Sequence, residues 1–324
     1  MSINLKKIII YFCLFYFLLF PLSTFAKSEE EDGVTLWPAF HTLTIKAGSS
    51  QSIKISVRNN NDTVLEVEPK FRNIKISSDP YKGISLSKDD EVPPALWLSA
   101  VTSVPFSVRP RETLEFESII EVPENVDSMG YYPVISLRFS SLDEEGEFVF
   151  SDSEISSVIY LSVADIKGKE AERKAYIRKF IANRSFLLTP DVKFLAEVEN
   201  IGDLHFRPRG SVQIYDPSGM RQSDTPTFND KMVYILPSQT LSEDFTWKDK
   251  PLSKLFPPFG NYRAVFELYL EEDRSQILQS EVNFFVFPIQ YIVVLILLLE
   301  IFVYILYKLI KWKKSKKEKF IALS

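Results

Sequence analysis

The clearest structural signal in this sequence is the stretch Ser52-Ile53-Lys54-Ile55-Ser56-Val57-Arg58, in which polar and apolar side chains alternate. A period of two places its isoleucines and its valine on one face of a β-strand and the polar residues on the other. Residues 47–50 before it and 59–62 after it are rich in Gly, Ser, Asn and Asp, which favour turns. The stretch therefore predicts a strand with one buried face.

Short runs of this kind recur along most of the chain, at the spacing typical of a β-sandwich. In the first half we predict strands at 42–46, 52–58, 64–71, 114–122, 131–139, 147–150 and 157–163. In the second half we predict them at 176–181, 191–199, 210–215, 232–236, 239–247, 260–271 and 279–286. The fold class that follows is all-β, with two tandem immunoglobulin-like β-sandwiches at residues 34–165 and 166–287.

The N-terminus has the pattern of an export signal. Two lysines precede the apolar run Ile8 to Phe20, and Thr24 and Ala26 suit the positions that signal peptidase reads. We expect cleavage after Ala26, which makes residues 1–26 a signal peptide. The alternative is a signal anchor that stays uncleaved.

The C-terminus carries a second apolar run, at residues 289–307, and a lysine-rich tail at 308–324. The run has nearly the roughly 20 residues that a helix needs to cross a bilayer. Lysines that flank a span stay in the cytoplasm, so we predict a single-pass plasma-membrane protein with its C-terminus inside and the two sandwiches outside. Glu300 lies within the span. We expect it to contact another membrane helix, or to be an acid tolerated near mid-span.

Composition restricts the partners. The formal charge is −5 although both ends are basic, so the exported part is acidic and nucleic acid is not an expected partner. The single cysteine, Cys13, lies in the predicted signal peptide, so the mature chain is expected to form no disulfides.

Residues that carry chemistry are scarce. The two histidines, His41 and His205, fit no zinc pattern, and we expect each at the surface or at a strand edge. The acidic clusters 89–91 and 143–145 lack the alternating spacing of a calcium loop. No hydrolase elbow, phosphate loop or dinucleotide fingerprint is present in the sequence. We therefore predict a protein that is not an enzyme, holds no metal or cofactor, and works by binding.

The candidate binding residues are Trp37, Phe40 and His41. The stretch Trp37-Pro38-Ala39-Phe40 precedes the first predicted strand, which favours partial exposure. Exposed aromatics often anchor interfaces. The alternative is that these aromatics are core residues, as large aromatics at strand positions usually are.

Three segments carry a family resemblance: residues 37–61, 122–135 and 200–210. With the layout of export signal, two β-domains, one helix and a lysine tail, they resemble the WxL-interacting surface proteins of Gram-positive bacteria. The resemblance implies a first domain associated with peptidoglycan, a second domain for a host or matrix ligand, and a WxL-type partner. Ser128-Met129 departs from the family's pattern. The first domain is also similar to pilus chaperones.

The leading hypothesis is therefore a membrane-anchored extracytoplasmic protein that attaches to the cell wall or to another surface protein. One alternative is a non-catalytic scaffold subunit of a membrane complex. Another is a chaperone-like module that offers a sheet edge to client strands.

Overall fold

The computed structural model describes residues 33–82, 85–87, 92–142, 148–189, 191–221, 226–248, 259–270 and 277–321. The predicted signal peptide and both acidic clusters lie outside these residues.

The first sandwich is made of two facing sheets. One sheet has the strand order β1 (Val34–Trp37), β3 (Ser50–Asn59), β8 (Thr113–Glu121), β6 (Leu98–Ala100). The other has the order β2 (Phe40–Lys46), β11 (Phe148–Ala164), β10 (Pro133–Leu142), β4 (Leu65–Lys75), β5 (Ser85–Leu86). Two short strands extend the second sheet, β7 (Phe106–Val108) beside β4 and β9 (Gly130–Tyr131) beside β11.

The alternating stretch in β3 behaves as its sequence predicts. Ile53, Ile55 and Val57 are buried, and they pack in one core with Phe116 of β8 and Leu137 of β10. Burying a side chain of this size contributes roughly 1.5–3 kcal/mol relative to leaving it in water. The two sheets are therefore held together by side chains that the sequence pattern identifies.

The second sandwich repeats this plan. One sheet contains β12 (Ala175–Ala182), β14 (Asp191–Asn200) and β17 (Thr240–Lys248) in that order. The other has the order β13 (Phe186–Leu187), β19 (Ile277–Val286), β18 (Gly260–Tyr269), β15 (Arg209–Tyr215), β16 (Thr227–Phe228). Trp247, Tyr262 and Phe266 fill its core. The fold class predicted from the sequence, two tandem immunoglobulin-like sandwiches, is confirmed.

Two strand predictions need correction. Residues 148–150 and 157–163, which we predict in two strands, belong to one long strand, β11. The segment 232–236 is not a strand and makes only an isolated bridge between Phe206 and Ile235. Asn229 explains this, because its side chain donates to the carbonyls of Pro208 and Val233 and accepts from the Val233 amide. These local side-chain bonds take the place of a sheet ladder.

The C-terminal helix α1 (Ile289–Ile321) begins directly after the second sandwich. Its residues Ile289–Lys313 are long and apolar enough to cross a membrane. The helix continues to Ile321, so the lysine-rich tail that the sequence predicts from residue 308 begins as part of the helix. Lysine is a good helix former, and no proline or glycine interrupts the tail.

Candidate functional site

The predicted binding stretch forms a corner between the two sheets of the first sandwich. Trp37 ends β1 and Phe40 begins β2, so the chain crosses from one sheet to the other at Pro38 and Ala39. The expectation that this stretch precedes the first strand is wrong, because Trp37 itself belongs to the four-residue strand β1. Trp37 is 42% exposed and Phe40 is 48% exposed. We name this stretch the aromatic corner.

The aromatic corner lies at the end of an open strand edge. β2 pairs in parallel with β11 from the Phe40–Val158 pair onward. At this point the Val158 amide donates to the Ala39 carbonyl at 3.1 Å, and the Ser157 hydroxyl donates to the Pro38 carbonyl at 2.8 Å. On its other side β11 pairs with β10 from Phe148 to Val158. Among the strands that the structure describes, none pairs with residues 148–157 on the side opposite β10.

The direction of the free backbone groups follows from strand geometry. The Val158 amide points toward β2, and amides of alternate residues in a strand point to the same side. The pairing of residues 154–158 with β10 is regular. The amides of Ser156 and Glu154 therefore point to the open side, where an added strand would accept from them.

His41, the third candidate residue, lies one position into β2, opposite Ile159. It is half-buried, and its Nε2 atom has no hydrogen-bond partner among the described residues. Burial lowers the pKa of its imidazole. His41 is thus a neutral strand residue beside the aromatic corner, consistent with the strand-edge position expected for it.

Phe40 also contributes to the junction between the two sandwiches. Its ring lies 6.1 Å from that of Tyr160 in β11 and 6.3 Å from that of Tyr234 in the second sandwich. The two tyrosine rings stack at 4.2 Å. The hydroxyl groups of Thr42 and Tyr234 are 3.0 Å apart. Phe40 thus packs at the junction while it stays partly exposed, as Trp37 does.

The expectation that His205 lies at the surface or at a strand edge is wrong. It is only 2% exposed, and its ring contacts those of Tyr132, Tyr160 and Tyr234 at 5.3–5.6 Å. Asn200 folds the preceding turn inward by donating to the Leu204 carbonyl at 2.8 Å. Burial, and then the nearby charge of Arg173, lower the pKa of His205 to about 4. Its imidazole is therefore neutral at pH 7.

Backbone and side-chain bonds also join the sandwiches. The Gly130 amide donates to the Asp203 carbonyl at 2.8 Å. A Cβ atom on Gly130 would lie 3.2 Å from that same oxygen and would overlap the Tyr132 hydroxyl, so this close approach requires glycine. Gln239 donates to the Ser77 carbonyl at 2.7 Å. The junction thus consists of specific hydrogen bonds and closely packed backbone.

Tyr81 makes a further contact across the junction, from a short helical turn at Pro80–Lys82. Its hydroxyl donates to the Glu243 carboxylate at 3.3 Å, and the Lys231 ammonium lies 5.3 Å from its ring centre. Burial, followed by the negative charge of Glu243, raises the pKa of Tyr81 to about 12. The phenol is therefore a hydrogen-bond donor throughout the neutral range.

Two clefts flank the stacked tyrosines. One, of about 180 Å³, is lined mainly by apolar groups, which include Phe40, Ile76 and Pro80. The other, of about 310 Å³, is more polar and is lined by Glu170, His205 and three arginines, Arg173, Arg207 and Arg209. In the described parts of the chain, no group of three or more His, Cys, Asp or Glu side chains is arranged to hold a metal ion.

Glu300, the predicted membrane contact, lies near the middle of the apolar part of α1. Its side chain is exposed and has no hydrogen-bond or ion-pair partner within the described chain. The contact with another membrane helix stays a prediction.

No protein-family model matches this chain, and no curated protein matches it. Several solved structures are similar to it. The class 5 fimbriae chaperone CfaA is 9% identical with a TM-score of 0.37, over 77% of this chain and 98% of that chain. A chaperone–tip adhesin complex of CFA/I fimbriae is 8% identical with a TM-score of 0.37, over 76% and 97%. The Salmonella enterica SafA pilin in complex with the SafB chaperone is 12% identical with a TM-score of 0.34, over 78% and 98%.

These neighbours are of the pilus-chaperone kind noted from the sequence. The resemblance to WxL-interacting proteins stays a prediction.

Proposed function

We propose that this chain is a membrane-anchored binding protein that takes an extended segment of another surface protein on the open edge of β11. The observation that carries the proposal is the pairing of β11. This strand is 17 residues long, whereas the strand that covers its outer side, β2, has seven and reaches only Val158. The remaining backbone groups are a template for one more strand.

Strand addition suits this edge for physical reasons. An added strand gains affinity from main-chain hydrogen bonds and specificity from its alternate side chains. Proteins usually cover or shorten a long free edge, because it invites pairing with other chains. Here none of the described strands pairs with the edge beside Trp37, an exposed aromatic that suits an interface anchor.

The anchoring part of the proposal rests on α1. Its apolar length suits a bilayer, and the lysines after it favour a cytoplasmic C-terminus. With the predicted export signal, this orientation puts residues 34–165 and 166–287 outside the plasma membrane as two binding domains. The β11 edge then faces the cell wall and the proteins attached to it.

For the partner, we propose a WxL-type surface protein, on the resemblance of residues 37–61, 122–135 and 200–210 to WxL-interacting proteins. A protein partner also agrees with the chemistry of a strand edge, because the edge pairs with the regularly spaced N–H and C=O groups of an extended polypeptide, which a glycan strand does not have. Attachment to the wall polymer itself is the competing outcome.

The test uses substitutions at Ser156 in the full chain, purified in detergent. Ser156→Pro removes an amide on the open side, whereas Ser156→Ala removes only the hydroxyl group that is bonded to Ser136 at 2.7 Å. With a WxL-type surface protein as the probe, we expect Ser156→Pro to weaken binding roughly tenfold or more and Ser156→Ala to leave it nearly unchanged.

A second pair of variants tests the aromatic corner. Trp37→Ala should weaken binding of the same probe by roughly 1–4 kcal/mol, and Tyr176→Ala, which removes a more exposed aromatic on β12, should not. Equal binding by Ser156→Pro and the unchanged chain would contradict strand addition. Sedimentation with purified peptidoglycan without binding to the protein probe would favour the wall polymer instead.

A further inference from the structure

The second sandwich carries an apolar rim at the end from which α1 emerges. Phe186 is 55% exposed, Leu188 is 45% exposed and Phe259 is 54% exposed. These three side chains come from two separate segments of the chain. We name them the apolar rim.

Hydrogen bonds join the apolar rim residue Leu188, and Leu187 beside it, to the start of α1. Phe186 pairs in parallel with Phe285, and their rings stack at 5.8 Å. The Phe287 amide donates to the Leu187 carbonyl at 2.8 Å, and the Ile289 amide donates to the Leu188 carbonyl at 3.0 Å. Phe186 and Leu188 are therefore fixed at the level where the helix begins.

Phe259 lies at the same level on the other side of β19, directly before β18. Its ring lies 6.0 Å from that of Phe287 and 5.3 Å from that of Tyr291 in the first turn of α1. Only Phe287 and Pro288 separate the end of β19 from the helix. With no flexible linker, the sandwich cannot move away from the surface that the helix enters.

We infer that the apolar rim lies in the headgroup region of the lipid bilayer and holds the second sandwich in one orientation on the membrane. The inference rests on the membrane span in the proposed function. A helix that enters hydrocarbon near Ile289 brings groups bonded to that residue to the interface, where an apolar face is buried about 5–10 Å deep. Phe and Leu side chains are typical of the apolar face of segments that lie at this depth.

The test labels single cysteines in the full chain, whose only cysteine, Cys13, lies in the predicted signal peptide. Phe186→Cys, Leu188→Cys and Phe259→Cys each receive a nitroxide spin label, and the proteins are placed in phosphatidylcholine nanodiscs. The control is Ile277→Cys, which is 52% exposed and lies at the other end of β19, eight residues before Phe285. That separation corresponds to about 27 Å along a strand.

Power-saturation spectroscopy then compares the access of oxygen, which concentrates in lipid, with the access of a water-soluble nickel chelate. We expect the oxygen-to-nickel ratio to be several-fold higher at the three rim positions than at Ile277→Cys. Labels as open to nickel as the control would overturn the inference, and so would labels shielded from both reagents, since that would indicate a protein cover. If the chain enters nanodiscs and the rim fails this test, the proposed function still stands; if the chain does not enter them, the span fails as well.

Discussion

The imidazole of His205 is enclosed by the rings of Tyr132, Tyr160 and Tyr234, and this environment links the stability of the protein to pH. Its pKa is about 4 in the folded chain and 6.5 in an unfolded one. Below pH 6.5 the unfolded chain takes up a proton that the folded chain does not. The stabilisation is therefore complete above pH 6.5 and is lost as the pH falls toward 4.

His205→Gln should remove this pH dependence. Between pH 7 and pH 5 we expect the unchanged chain to lose about 2 kcal/mol of unfolding free energy more than the variant does, because Gln takes up no proton. Urea unfolding followed by tryptophan fluorescence at the two pH values measures the difference. The control is His41→Gln, whose parent imidazole is only half-buried and should contribute less. An equal pH response in His205→Gln and the unchanged chain would refute the assignment.

The environments of some single residues can be predicted from the sequence, and those of others cannot. The burial of Ile53, Ile55 and Val57 follows from a local period of two, so it is predictable. The burial of His205 depends on Tyr132 and Tyr160, which come from the other sandwich and are distant in sequence. No local pattern encodes that contact. The exposure of Trp37 was predicted, but its place beside an open edge of β11 depends on pairing that only the fold reveals.

At the scale of whole elements, the strands that are not predicted from the sequence are short. β1 has four residues and β13 has two, too few to display a period. The segment 232–236 shows the opposite error, since an apolar run became an irregular segment through the side-chain bonds of Asn229. Long strands such as β14 and β19 were recovered because their alternating faces extend over ten residues.

The helix α1 carries its own prediction through Glu300. A carboxyl group in hydrocarbon is stabilised by a hydrogen bond to a neighbouring helix, with measured values of about 0.6–2 kcal/mol. We expect Glu300→Leu to reduce association between copies of the chain in liposomes, measured by energy transfer between labelled copies. Leu299→Ala, one residue away, should have a smaller effect. Unchanged energy transfer in Glu300→Leu would rule out self-association through this residue.

For the molecule as a whole, the junction should make the two sandwiches unfold together. Tyr234 stacks on Tyr160 at 4.2 Å, meets the Thr42 hydroxyl at 3.0 Å and lies 4.9 Å from the Arg207 guanidinium. Tyr234→Ala removes the stacking and the hydroxyl contact, which cross the junction and together are worth roughly 1–3 kcal/mol, and also the Arg207 contact, which lies within the second sandwich.

Calorimetry of the full chain in detergent measures this coupling. We expect one unfolding transition in the unchanged chain and two separated transitions in Tyr234→Ala. Tyr176→Ala, which removes an exposed ring that takes part in none of these three contacts, should keep the single transition. Two transitions in the unchanged chain would show that the sandwiches are independent.

The direct connection of β19 to α1 has a mechanical consequence. If a partner pulls on β11 while α1 is held in the membrane, the tension passes along β19 and is applied parallel to that strand. The ten residue pairs between β18 and β19 then resist in shear, so that many hydrogen bonds carry the force at once and do not open one after another. The hydrogen bonds that the Phe287 and Ile289 amides donate to the carbonyls of residues 187 and 188 share this tension. The joint is therefore built to transmit a pull from the cell exterior to the membrane with little slack.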